Sequence, residues 1–348
     1  MTTFRVATPA DDALLRSMLR SNAMPTWVEL SIEREPSFFA GHDLVGEEWA
    51  VIAENGVEAE GMYTASVLPV HVDGHTEKLG YLGGLRVNAR YRHRLRLIQQ
   101  GYASIEPLAT TRRSLPWWFT VIAAENSAAR RLLEAELPGL PKYCQIGHYV
   151  TFAVATSRGK HRELWRPCQE PEIEQLIAFH NAQASALDLS PVLDEPTVRR
   201  IGLENFLVFA PGGHIAGAAA LWDQRTFKQV VAKRYRRPIG ALVPAYNAYA
   251  KLSRRIPLPR EGDSLQQTFI AYLALADHAA STCRTLLQDL LARCRTPVAC
   301  FGLHAGHPLV TTLDRFAPMR YPARVYAVSF AEAPPPRRRP VQPEAALL

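Results

Sequence analysis

Two periodicities alternate along this chain. Leu14, Leu15, Met18 and Leu19 recur at three- and four-residue spacing, the pattern of a helix with one buried stripe. Thr8-Pro9 ahead of them supplies an N-cap and a first-turn proline, and Asp11-Asp12 suit the positive end of a helix. A short strand is expected over 4–7 and a second short helix over 31–40. Strand-type runs follow over 49–54, 61–72 and 77–87, the first two closed by the turn pairs Asn55-Gly56 and Asp73-Gly74. A basic segment, 88–96, leads into a helix reaching about 108. Residues 117–123 read as a buried strand, 125–134 as a short helix and 143–155 as a closing strand.

The second half repeats this order. A helix is expected over 171–187, with Ile173, Leu176, Ile177 and His180 on one face. Strands over 205–210 and 214–223 flank the Pro211-Gly212-Gly213 turn, and 227–234 extends them. Residues 244–256 read as helix or loop, and 266–276 as a strong strand. A helix over 281–293 carries the stripe Leu286, Leu287, Leu290 and Leu291. A strand over 297–303, a short helix over 308–316 and a strand over 321–330 complete the unit. The layout predicted is a first domain over 1–156, a polar linker over 157–170, a second domain over 171–330, and a Pro- and Arg-rich tail over 331–348 expected to be disordered. The halves share an order of elements without visible identity, which makes an internal duplication plausible.

Composition fits this picture. The chain has 348 residues, enough for two domains, and its 47% hydrophobic and 21% charged residues are those of a globular protein. The longest apolar runs, 215–222 and 269–276, are strand-sized and fall short of the ~20 residues of a membrane span. The first residues lack the apolar run of a signal peptide, so a cytoplasmic protein with no membrane partner is the expectation. Five cysteines without a CxxC pair argue against a disulfide framework or a zinc site, and no metal is expected. The net charge is +7, and only six of the 40 basic residues are lysine. Arginine suits anionic partners, because its guanidinium binds phosphate with two bonds. The basic clusters at 233–238 and 337–339 are expected to be solvated rather than to bind nucleic acid.

The chemistry concentrates at 81–101, YLGGLRVNARYRHRLRLIQQG, where a strand ends, a basic loop follows and a helix begins. A helix N-terminus presents free N–H groups suited to a pyrophosphate. The run Leu85-Arg86-Val87-Asn88-Ala89-Arg90-Tyr91-Arg92 resembles the strand end and loop of the GNAT acetyltransferase superfamily. Asn126 with the following Ser127-Ala128-Ala129-Arg130-Arg131-Leu132-Leu133 resembles a later motif of that family. With 33–39, these matches span most of residues 4–155 and resemble bacterial tandem proteins of the superfamily. The resemblance implies an α/β (α+β) fold of two tandem GNAT-like domains, each a mixed, mostly antiparallel twisted sheet flanked by helices. It also implies acetyl-CoA, or another acyl-CoA, as co-substrate and transfer of its acyl group to an amine, on a small molecule or a peptide.

On that basis the acyl-CoA contacts expected are Leu85, Arg86, Val87, Arg92, His93, Arg94, Leu95, Arg96 and Asn126, or Leu273, Ala274 and Leu275 in the second unit. Two departures stand out. His93, Leu95 and Leu97 occupy the places of the family's loop glycines, so Arg92, Arg94 and Arg96 would have to hold phosphate by side chain. Leu133 occupies the place of the family's tyrosine acid, and leucine cannot protonate a thiolate. In the second unit, His304 and His307 on one strand-to-helix turn are candidate proton carriers. Trp222, Asp223, Gln224 and Lys228 mix an aromatic with polar groups, as an acceptor pocket would. Two rivals stand beside the N-acyltransferase: a non-catalytic acyl-CoA-binding or interaction protein of the same fold, and an aminoacyltransferase that uses charged tRNA.

Overall fold

A computed structural model describes residues 2–331 and 337–348, apart from 25, 26, 110, 111 and 114. The first half contains β1 (Thr3–Val6), α1 (Asp12–Ser21), β2 (Val28–Glu33), β3 (Glu47–Glu54), β4 (Ala59–Val72) and β5 (His75–Val87). It continues with α2 (Leu95–Ala103), α3 (Glu106–Ala109), β6 (Trp118–Ala123), α4 (Ser127–Leu133) and β7 (Lys142–Ala155). The second half contains β8 (Arg166–Pro167), α5 (Ile173–Ala184), α6 (Glu195–Ile201), β9 (Phe206–Phe209), β10 (Gly217–Trp222), β11 (Gln229–Tyr235) and α7 (Ile239–Ser253). It closes with β12 (Gln267–Leu275), α8 (Ala280–Arg293), β13 (Val298–His304), α9 (Leu309–Asp314) and β14 (Met319–Ser329).

Twelve strands form one continuous sheet in the order β1-β3-β4-β5-β6-β14-β7-β13-β12-β10-β9-β8. The middle of that order is exchanged. β14, the last strand of the second half, lies antiparallel between β6 and β7. β7, the last strand of the first half, pairs in turn with β13. Each half therefore completes its sheet through the other. A second link between the halves is the two-stranded sheet of β2 and β11.

Helices cover both faces. On one face, α2 and α4 pack over Leu82, Trp118, Ile122 and Tyr326. On that side of the second half, Leu286, Leu287, Leu290 and Leu291 of α8 pack with Leu309 and Leu313 of α9 over Phe152, Val154 and Phe301. On the other face, a shared core joins the halves: Val70, Leu79 and Phe119 meet Leu176, Phe206, Trp222 and Val325. Burial of such side chains contributes roughly 1.5–3 kcal/mol each before entropy is counted, so this shared core is a principal bond between the halves.

Three expectations are corrected. Residues 28–33 form a strand where a helix over 31–40 was predicted, because Val28, Leu30 and Ile32 alternate and β11 supplies a partner from almost two hundred residues away. The segment expected as a free linker is pinned. Trp165 is 1% exposed, and the Asp289 carboxylate on α8 accepts from the main-chain N–H groups of Arg162, Leu164 and Trp165. The tail expected to be disordered is ordered over 337–348. Pro340 and Gln342 exchange main-chain hydrogen bonds with Asp188, and Val341, Ala345, Ala346 and Leu347 are buried in the shared core. The few apolar residues of the tail find a prepared slot, which composition alone does not reveal. Residues 332–336 lie outside those described.

Candidate functional site

Each half contains one place where two parallel strands part. β5 and β6 pair only through Gly80↔Trp118 and Tyr81↔Phe119. Gly80 is required there, since a Cβ would sit 2.1 Å from the Trp118 ring. Past Tyr81 the strands diverge, and β5 takes a bulge against β4: Gly83 faces Thr64 while Arg86 faces Met62. Gly84 turns this bulge at φ +61°, in the left-handed region that glycine enters at little cost. Beyond Tyr81 the β6-side edge of β5 has no strand partner, and the Thr120 hydroxyl takes up the Leu82 carbonyl there.

A cavity of about 570 Å³ opens along this parting. Residues 82–87 form one wall, and Tyr63, Tyr102, Leu133 and Tyr143 form an apolar side toward α2 and α4. The Tyr102 and Tyr143 hydroxyls bond to each other, and burial raises the pKa of both. The opposite side, on the shared-core face, is polar. It carries Arg34, Glu48, Tyr81, Arg86, Gln224, Lys228 and residues 346–348. Arg34 grips Glu48 with two bonds of 2.8 and 2.9 Å. Lys228 donates to the main-chain oxygen of Leu348. Loss of water lowers the Lys228 pKa to about 8, with Arg34 pushing it the same way and Glu48 opposing. Burial holds the Tyr81 phenol neutral by raising its pKa well above the ordinary value.

The second parting has the same construction. β12 and β13 pair only from Gln267↔Val298 to Phe269↔Cys300. β12 then bulges against β10, with Tyr272 at φ +51° in the role that Gly84 plays in the first half. This slot is filled from within. Glu344 accepts from the main-chain N–H of Tyr272 at 2.9 Å, and Gln342 accepts from that of His304 at 3.1 Å. The tail thereby takes up groups on both diverging strands. Burial raises the Glu344 pKa to about 7. A cavity of about 400 Å³ remains beside the tail.

The residues singled out in the sequence divide between these places. Leu85, Arg86, Val87 and Asn126 line the first cavity, and so do Trp222, Gln224 and Lys228 from the second half. Asn126 also caps α4, accepting from the Ala129 N–H at 3.2 Å. Asp223 instead pairs with Arg225. Leu273, Ala274, Leu275, His304 and His307 line the second cavity, where the His307 ring lies 5.1 Å from that of His304 and 5.5 Å from that of His278. Burial lowers the pKa of His304 and takes that of His307 down to about 3, so both are neutral at physiological pH. His307 Nδ1 accepts from the Leu309 N–H at the start of α9. Arg92, His93, Arg94, Leu95 and Arg96 line neither cavity. Arg92 bonds to Asn22 and to the Val87 carbonyl, and Arg94 pairs with Glu60. No side chain caps α2, whose first turn begins at Leu95.

Sequence reasoning missed Tyr63, Tyr81, Arg34, Glu48 and the tail as cavity walls. Tyr81 heads the Gly-Gly strand end and carried a readable signal. Arg34–Glu48 and the tail arrive by tertiary contacts that no local pattern announces. Among the described residues no cluster of His, Cys, Asp or Glu is arranged to hold a metal, and no helix is long and apolar enough to cross a membrane.

No protein-family model matches this sequence, and no curated protein matches it at the sequence level. Solved structures do resemble it. Saccharomyces cerevisiae N-myristoyltransferase with bound myristoyl-CoA superposes with a TM-score of 0.63 at 10% identity, covering 96% of this chain and 84% of that one. A GCN5-related N-acetyltransferase from Anabaena variabilis superposes at 0.53 and 10% identity, covering 94% and 72%. A probable N-acyltransferase from Enterococcus faecalis gives 0.50 at 8% identity, again covering 94% and 72%. Together with the two parted strand pairs, these similarities establish that this chain has the fold of the GNAT superfamily, as two tandem halves joined in one sheet.

Proposed function

We propose that this protein is an acyl-CoA-dependent N-acyltransferase whose acyl-CoA site is the first-half slot. The observation that carries the reading is the parting of β5 from β6 beside the larger cavity, with the matching slot of the second half already filled by residues 342–344. Pantetheine would lie along 82–87 and bond to the free edge of β5. Asn126 and the uncapped first turn of α2 flank this end. Arg92 and Arg94 have protein partners, so Arg96 and the α2 N–H groups are left for the phosphates. The acyl chain would extend into the apolar side lined by Tyr102 and Leu133. Trp222, Gln224 and Lys228 would face the acceptor.

The reaction balances simply. The amine nitrogen attacks the thioester carbonyl, an N–C bond forms and the C–S bond breaks. The oxyanion would be met by main-chain N–H groups that the Gly84 bulge frees from β4. The proton lost by the amine passes to neutral Lys228, whose pKa of about 8 suits a base near neutrality, and ends on the departing thiolate or in solvent. His304 and His307 take no part in this scheme, because they line the other cavity.

Calorimetric titration with acetyl-CoA and longer acyl-CoAs tests the site, and thiol release over an amine panel tests the chemistry. Saturable binding with amine-dependent thiol release is expected. No binding of any acyl-CoA defeats the proposal. The engagement of Arg92 and Arg94 favours one second reading, an acyl-CoA-holding protein without transferase activity, for which binding with no thiol release would speak.

A further inference from the structure

We propose that the acceptor amine carries a carboxylate and that Arg86 holds it. This rests on the acyl-transfer reading above and adds the chemical class of the second substrate.

Arg86 lies two residues beyond the Gly84 turn. Side chains alternate along a strand, so in an unbroken β5 residue 86 would share a face with Leu82. The bulge inserts one residue: three steps of β5, from Gly83 to Arg86, span two of β4, from Thr64 to Met62. Arg86 is thereby turned to the face of Tyr81, whose phenol lies within electrostatic range of it. That face belongs to the chamber walled by Arg34, Glu48 and Lys228. α2, whose N-terminus suits pyrophosphate, packs on the opposite face with Leu82. The guanidinium therefore looks toward the acceptor side rather than the phosphate end.

Its partners are incomplete. Nη1 donates to the Leu85 carbonyl at 2.9 Å, while Nε is buried without a hydrogen-bond partner. Arg34, in the same chamber, is matched by Glu48; Arg86 forms no ion pair with a carboxylate among the described residues. The guanidinium is half-buried with its Nε shut off from water, and a ligand that brings an anion would supply the missing partner. The planar fork matches a carboxylate with two parallel bonds.

The test uses the full chain and whichever acyl-CoA binds in calorimetry. Each of the common α-amino acids is compared with its own α-amide in a thiol-release assay. At least one acid is expected to exceed its amide by about tenfold or more in kcat/KM, since a site built around a polar partner rejects the analogue that lacks it. Arg86→Gln is expected to erase that preference, with the larger loss in the acceptor KM rather than in the acyl-CoA Kd. Arg86→Lys, which keeps the charge but not the fork, is expected to restore part of it, and thermal unfolding of both variants checks that they fold. The proposal is overturned if amides serve as well as acids, or if only neutral amines such as alkylamines are acylated. It is also overturned if Arg86→Gln weakens acyl-CoA binding instead, which would assign the residue to the cofactor. An absence of acyl-CoA binding in the wild type would instead defeat the underlying acyl-transfer reading, and this one with it.

Discussion

At the scale of single residues, the proposed acyl transfer turns on Lys228. An ammonium in water has its pKa near 10.4, and a base held there is almost wholly protonated at neutral pH. Desolvation and Arg34 bring Lys228 to about 8. The reactive form is the neutral amine, so the acylation rate should rise with pH below about 8 and level off above it. Lys228→Met should lower kcat by about 10²–10⁴-fold and remove that rise, as loss of a positioned base does. Lys228→Arg should keep the positive charge and abolish the ascending limb within the working range. A pH profile of kcat with a saturating amine decides; an unchanged profile in Lys228→Met removes Lys228 from the proton path. Lys228 was readable in the sequence as an oddity among Trp222, Asp223 and Gln224, but its role was not. What sets its pKa is burial first, then Arg34 against Glu48, nearly two hundred residues earlier, and linear distance hides such neighbours.

At the scale of elements, the tail shows why burial is harder to read than periodicity. Helices and strands with strong repeats were legible to within a few residues: 281–293 against Ala280–Arg293, and 266–276 against Gln267–Leu275. The tail has no repeat. Its prolines and arginines mimic disordered chain, yet Val341 and Leu347 enter the shared core while Gln342 and Glu344 satisfy the diverging strands. The slot needed a partner because two unpaired strand edges cannot be buried without one. The strand over 28–33 was misread for a related reason, since its partner β11 lies in the other half. Val341 is 2% exposed against Gly147, so truncation leaves a cavity that little can fill. Val341→Ala is expected to cost about 1–3 kcal/mol. Val341→Asp, which buries a charge, should cost more and should also lower thiol release, because the same segment carries 346–348 to the active chamber. Urea denaturation followed beside the thiol assay checks both; a stable Val341→Asp variant with full activity would show that the tail is not fixed in the slot.

At the scale of the whole molecule, the sequence divides near 156 while the fold does not. The order of elements in each half was legible because every helix and strand carries its own pattern. The exchange of last strands was not, since β7 and β14 present the same alternation whichever neighbour they pair with. That exchange has a thermodynamic consequence. A fragment of residues 1–156 keeps β7 but loses both of its neighbours, β14 and β13, and loses the cover of α5 and the tail over Leu79 and Phe119. The fragment of 157–348 loses β6 and β7 from around β14 and β13. Each would expose a long unpaired strand edge and half of a core, which favours aggregation over independent folding. Neither fragment alone should give a cooperative thermal transition. Expressed together, the two should assemble into one species and regain acyl-CoA binding, because their association rebuilds the β6-β14-β7-β13 run across an interface with the packing of a domain interior. Calorimetry on each fragment and on the mixture reads this out directly. A first-half fragment that melts cooperatively and binds acyl-CoA unaided would show that β7 can close its own sheet against β6, and that the exchange seen across the centre contributes little to holding the halves together.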